Sequence, residues 1–278
     1  MAYYLSWCDF IYLMKSLIVQ FADRHAECIG IVVEYLLQDS HEAIDIFLGA
    51  KDSNTEAWFQ FFKRNYNDII TLNRITKFPQ SSYQYHSVIF LTSSDYLMID
   101  KLNPIINLIS YRNMGALVHQ YSAGIFRKNF INLAISPLIA LQQTNMNFRF
   151  YKENHSYNNS FHPDVHFFMT GWGEHVNFKH INEEFSKNNI KCLFISKRDS
   201  DSIESLYSNI IFCKNISTDN LIRCFLFKSC IFYPIEESIY RTERISGCIH
   251  LASSFGCKLY LPAEIKVLYN KFPSFCGY

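Results

Sequence analysis

Three side chains able to take up a proton stand at the ends of segments that read as strands: His25, Asp95 and His119. A histidine or carboxylate so placed can act as a general base toward a hydroxyl group. Two glycine-bearing stretches offer the complementary chemistry, anion binding. Gly171-Trp172-Gly173 directly follows the apolar run 165–169, and a glycine there lets backbone N–H groups approach a phosphate with no Cβ in the way. Val176 stands where a full dinucleotide fingerprint would want a further glycine. Ser246-Gly247 opens an apolar stretch of helical length that Gly256 ends. With Ser246 as N-cap, the first helical amides and the helix dipole form an anion site suited to a diphosphate. Ordinary structure also accounts for these glycines, as a strand-to-helix turn and as a capped helix with its terminal glycine. It leaves over the charged loop before the cap, which carries Glu236, Glu237, Arg241, Glu243 and Arg244.

Other constellations carry less. His162 and His166 have the spacing of a helical metal-binding pair, but Pro163 and the strand that follows argue against a helix, so no metal ligand is expected. The nine cysteines include no C-x-x-C, which excludes a zinc ribbon and gives no disulfide framework. Reduced, buried thiols in a cytoplasmic, reducing compartment are the expectation.

The elements that must position these residues alternate between short apolar runs and helix-length stretches, the pattern of parallel sheets covered by helices. Strands are expected at 16–22, 43–48, 69–72, 87–91 and 116–119, with helices at 28–38, 55–65 and 104–112. The segment 142–163 is polar and rich in Asn, and the alternation restarts after it. Strands follow at 165–169, 190–195, 210–213, 230–233 and 258–261, with helices at 177–188, 217–228 and 246–255. The expected fold is α/β, two Rossmann-like doubly wound domains facing across a cleft. An amino-terminal domain spans 1–150, a linker 151–162 and a carboxyl-terminal domain 163–278.

Composition narrows the classes. Lys+Arg number 26 against 25 Asp+Glu, and no basic cluster exceeds a pair, so no nucleic-acid partner working through a basic face is expected. Hydrophobic residues at 49% and charged residues at 18% supply a core for 278 residues. Asp9 and Lys15 interrupt the apolar start, which makes a poor signal peptide, and no membrane span is expected.

Residues 210–262 resemble the carboxyl-terminal domain of GT-B-fold glycosyltransferases, the nucleotide-sugar-dependent type. The resemblance rests on Asp219-Asn220-Leu221, Ile231-Phe232-Tyr233-Pro234, Ser246-Gly247, Leu251-Ala252, Phe255-Gly256 and Leu261-Pro262 in that order; residues 165–195 match more loosely. It implies that Ser246, Gly247 and the Cys248 amide hold a donor diphosphate, with Gly171 and Gly173 lining the cleft opposite. It also implies that Glu243 lies near the donor sugar or ribose, His119 near the transferred sugar and His25 near the acceptor. The glutamate pair of many retaining members is absent here, so retention and inversion both stay open.

Transfer of this kind needs a stabilised leaving diphosphate, which helix-terminal amides and a cation can supply without metal. Arg241, Arg244, Lys197 and Arg198 are the candidate cations. The implied partners are a nucleotide-sugar donor, acting as substrate rather than cofactor, and a glycan or other hydroxyl acceptor. A homo-oligomer stays open. Two alternatives stand beside this reading: a catalytically silent relative serving as scaffold, given an aromatic content of 17%, and a different nucleotide-dependent α/β enzyme such as an epimerase.

Overall fold

The computed structural model describes residues 15–21, 25–38, 43–49, 53–79, 84–92, 109–119, 130–134, 161–171, 175–196, 206–236, 239–240 and 246–270. The chain divides into two compact units, Met1–Asn147 and Phe148–Tyr278.

The first unit runs β1 (Lys15–Gln20), a tight turn at 26–28, α1 (Ile29–Leu37), β2 (Ala43–Leu48), α2 (Ser53–Tyr66), β3 (Thr71–Ile75), β4 (Gln84–Phe90), β5 (Ser110–Val118) and β6 (Phe130–Ala134). Its sheet has the order β3-β2-β1-β4-β5-β6, with every neighbour parallel. This is the doubly wound order, in which the chain moves outward from β1 in one direction and from β4 in the other. Parallel strands covered on both faces become continuous apolar runs, and β1 is buried from Ser16 to Gln20. One core cluster gathers Leu17, Val19, Tyr85, Val88, Phe90, Met114, Ala116 and Phe130. The helix α2 buries Trp58, Phe59, Phe61, Phe62 and Tyr66, with Glu56 in its first turn and Lys63 and Arg64 in its last, as the helix dipole favours. Tyr66 Oη donates to Glu34 Oε1 at 2.8 Å, tying α2 to α1.

One carboxylate interrupts the apolar strands. Asp45 on β2 is buried, and Lys15 Nζ and Tyr85 Oη both approach it at 2.8 Å. A buried carboxylate needs such partners; the adjacent strand β1 supplies one and β4, one strand further along the sheet, the other.

The second unit runs β7 (Phe167–Thr170), α3 (Phe178–Ser186), β8 (Cys192–Ser196), β9 (Ile210–Lys214), α4 (Thr218–Phe227), β10 (Ser229–Ile231), α5 (Gly247–Ser254), β11 (Leu259–Tyr260) and α6 (Ala263–Asn270). The sheet order β11-β10-β7-β8-β9, again all parallel, repeats the arrangement of the first unit around β7 and β10. Met169, Cys192, Phe194 and Ile231 pack with Phe178 and Ile181 of α3 on one face. On the other, the Phe168 ring meets Phe225 of α4 edge-on at 5.0 Å, and Phe225 stacks on Phe255 at 5.5 Å. Both units are therefore Rossmann-like parallel α/β sheets, and in the second the described helices cover both faces.

Most expected elements lie within a few residues of their observed bounds, with four differences. The apolar pair Ile69-Ile70 belongs to the turn that closes α2 rather than to a strand, since both amides donate to the Tyr66 carbonyl at 2.9 Å; β3 begins only at Thr71. The helix expected at 104–112 is contradicted from Ser110 onward. There β5 pairs with β4 through Tyr85↔Tyr111 and Ser87↔Asn113, and its polar, exposed first half hides its strand character; residues 104–108 lie outside the described residues. The strand β6 and the helix α6, elements of five and eight residues, were not anticipated. Among the described residues, no helix is long and apolar enough to cross a membrane.

Candidate functional site

In open α/β sheets, ligands bind beyond the carboxyl ends of the strands where the winding reverses, here beside β1 and β4 in one unit and β7 and β10 in the other. Both edges carry chemistry-bearing residues.

At the first edge, β1 leads to His25, which takes a left-handed backbone with φ 69° and ψ 17°. A histidine tolerates that region better than most residues, and such conformations concentrate where a site fixes them. The Cys28 amide then donates to the His25 carbonyl at 2.9 Å, closing the tight turn. This turn leaves the His25 and Cys28 side chains close to each other. His119 follows directly on β5, and its Nε2 lies 3.2 Å from the carbonyl oxygen of Leu91, which follows β4. The rings of His25 and His119 approach to 4.2 Å between centroids. Ligand atoms of His25, Cys28 and His119 all lie within 4.8 Å of one another. Beside them, Glu27 Oε1 is 3.6 Å from His25 Nδ1. Burial by itself would raise the Glu27 carboxyl, but the hydrogen bond and charge of His25, with a smaller pull from His119, hold it below the usual carboxylate range.

The two histidines expected at strand ends thus meet at one edge. Cys28 was not singled out beforehand. The only trace of it in the sequence is the spacing His25-x-x-Cys28, one thiol among nine. His162 and His166 belong to no three-ligand group among the described residues, and the His162 carbonyl accepts from Lys228 Nζ at 2.9 Å.

At the second edge, Gly171 ends β7 with φ +144°, a conformation that side chains rarely adopt. A Cβ placed there would meet nothing within 4 Å among the described residues, so the space they leave above it is open. The neighbouring strand β10 leads to α5, whose N-terminus must lie at the same carboxyl edge because the helix returns the chain to the start of β11. Ser246 occupies the N-cap position with an extended backbone. Its hydroxyl makes no capping bond, contrary to the simplest expectation, and lies instead 3.0 Å from Cys248 Sγ. The far end of α5 is closed as expected by Gly256 at φ 64°. The Cys257 amide donates to Ala252 at 2.8 Å and Gly256 to Ser253 at 3.0 Å, the two bonds of a Schellman cap.

The chain segments leaving β7 and β10 also pair. Val176 bridges Pro234 in antiparallel fashion, Asn177 donates to Tyr233 at 3.0 Å and Ile235 to His175 at 2.9 Å. Of the remaining candidates, Asp95, Gly173, Lys197, Arg198, Arg241, Glu243 and Arg244 lie outside the described residues.

Two units, each a doubly wound, all-parallel sheet compatible with a Rossmann-like domain, define the chain as an α/β protein. No protein-family model and no curated protein matches its sequence.

Proposed function

We propose that the chain transfers a glycosyl group from a nucleotide-sugar donor to an acceptor hydroxyl. One observation carries the reading: Gly171, under open space at the end of β7, and the Ser246-Gly247 start of α5 belong to neighbouring strands at the edge where the second sheet's winding reverses. The amides of Gly247 and Cys248 and the dipole of α5 are assigned to the donor diphosphate, whose negative charge grows as the glycosidic bond breaks. Arg241 is assigned as the cation that shares this charge, and Glu243 as the contact to donor sugar or ribose. Gly173 would line the same site. In the first unit, His119 is assigned to the transferred sugar and His25 to the acceptor, whose hydroxyl must lose a proton. The nucleotide sugar is substrate, and the diphosphate requires no metal.

A second reading has its own observation. The antiparallel bridge from 175–177 to 233–235 spans the segments that would have to admit a donor, which favours a silent scaffold of the same architecture.

A thermal-shift panel of nucleoside diphosphates and nucleotide sugars, with and without magnesium, separates the two. A ligand at 100 times its dissociation constant adds about 2.7 kcal/mol to the folded state. The expected result is a selective shift with one nucleotide that disappears in Gly247→Trp and persists without magnesium. A flat panel at millimolar ligand sinks the donor reading and leaves the scaffold.

A further inference from the structure

We infer that the first unit holds a divalent transition-metal ion, zinc by the chemistry of its donors, on His25, Cys28 and His119. The ligand atoms of the three lie within 4.8 Å of one another. Bond lengths of about 2.0–2.1 Å to nitrogen and about 2.3 Å to sulfur place tetrahedral donors roughly 3.3–3.7 Å apart. Closing around an ion therefore asks the side chains to move by about an ångström, within the reach of ordinary rotamer adjustment.

The backbone is arranged for this set. Left-handed His25 and the Cys28 amide that closes the turn leave an imidazole and a thiol close together on a single turn, and β5 delivers His119 beside them. The outer partners also fit. Ligating histidines usually give their second ring N–H to a carbonyl or carboxylate, which fixes the tautomer. His119 Nε2 has the Leu91 carbonyl at 3.2 Å, and donation there leaves the lone pair on Nδ1. His25 Nδ1 has the Glu27 carboxylate at 3.6 Å, which leaves Nε2 as its ligand atom.

Two imidazoles and a thiol select against magnesium and calcium, which take oxygen donors, and favour a borderline-soft ion. Stacking of the two imidazoles alone would account for their contact but not for the thiol beside them. The His25 side chain is 31% exposed while Cys28 is buried, so an ion can enter from solvent and the sulfur stays sheltered. Three protein ligands leave a fourth position for water or a substrate oxygen, the arrangement of catalytic rather than structural zinc. His25 and His119 are then ligands, and the proton-accepting role passes to the hydroxide left when water at the open position, made acidic by the ion, gives up a proton to solvent. The inference stands apart from the donor reading, since the nucleotide panel probes the second unit and a metal titration the first.

The test is titration of the chelator-treated full chain with Co²⁺ alone, then displacement by Zn²⁺. One Co²⁺ per chain is expected, with the visible bands of a tetrahedral site and a near-ultraviolet thiolate-to-cobalt band. Cys28→Ser should abolish the thiolate band, and Cys213→Ser, half-buried on β9, should leave it intact. Glu27→Gln should weaken cobalt binding about 10–100-fold. Should Cys28→Ser fail to fold, His119→Gln gives the same decision through loss of stoichiometric binding. Absence of stoichiometric cobalt, or a thiolate band unchanged in Cys28→Ser or His119→Gln, overturns the assignment.

Discussion

The cluster at the first edge shows what single residues disclose and what they hide. His25 and His119 drew notice because each interrupts or follows an apolar run, and a polar titratable group there must do something other than pack. Cys28 gave no such signal: in one dimension it is an apolar-like residue opening an amphipathic helix, and only the left-handed turn at His25 rotates it toward the histidines. Gly171 after β7 and Gly256 after α5 take the positive φ that glycine favours, whereas the contact of Ser246 Oγ with Cys248 Sγ depends on a rotamer no spacing reveals. The charge around Glu27 yields a prediction for the metal-free chain. Its carboxyl titrates below the ordinary glutamate range in the folded state, so the folded state binds fewer protons than the unfolded one between the two values. The resulting stability is fully present above the unfolded value and is lost as pH falls through the folded one. Urea unfolding across the acid range should therefore show Glu27→Gln less stable than the parent at neutral pH, with the two converging in acid. Parallel curves would refute the linkage.

At the level of elements, the sequence was most readable where the burial pattern is uniform. β2 matches the expected 43–48, because a strand buried on both faces is apolar along its length, here at every position but Asp45. β5 was half-misread because its two halves differ, exposed and polar from Ser110 to Arg112, buried from Met114 to Val118. Its one glycine explains how so crowded a strand fits. A Cβ on Gly115 would stand 2.6 Å from the Ile131 carbonyl oxygen and 2.8 Å from the Ile131 Cβ on β6, and 3.1 Å from Ile89 Cδ1 on β4. Backbone of a neighbouring strand cannot retreat as a flexible side chain would, so Gly115→Ala should destabilise the first unit by about 1–3 kcal/mol. Chemical denaturation would register this as a lower midpoint at unchanged slope; an unaltered midpoint would mean that β5 and β6 separate without cost.

For the whole molecule, the alternation of strand and helix announced an α/β chain. Strand order was beyond reach, because parallel pairing joins segments far apart in sequence and the apolar runs carry no label for their neighbours. Each unit has its own sheet and its own core, so residues 1–147 and 148–278 made separately should each unfold cooperatively. Circular dichroism of the two pieces checks this, and a coil-like spectrum from either would show that it depends on the other. The winding also bears on how the chain is made. In both sheets the central pair joins the unit's first strand to its fourth: β1 at 15–20 beside β4 at 84–90, and β7 at 167–170 beside β10 at 229–231. At about 5–20 residues per second, translation leaves each first strand waiting several seconds with one side of its backbone unpaired. Such an edge is a template for any other extended chain. The nascent protein is thus exposed to mispairing in two separate intervals, each of which ends when a fourth strand clears the ribosome.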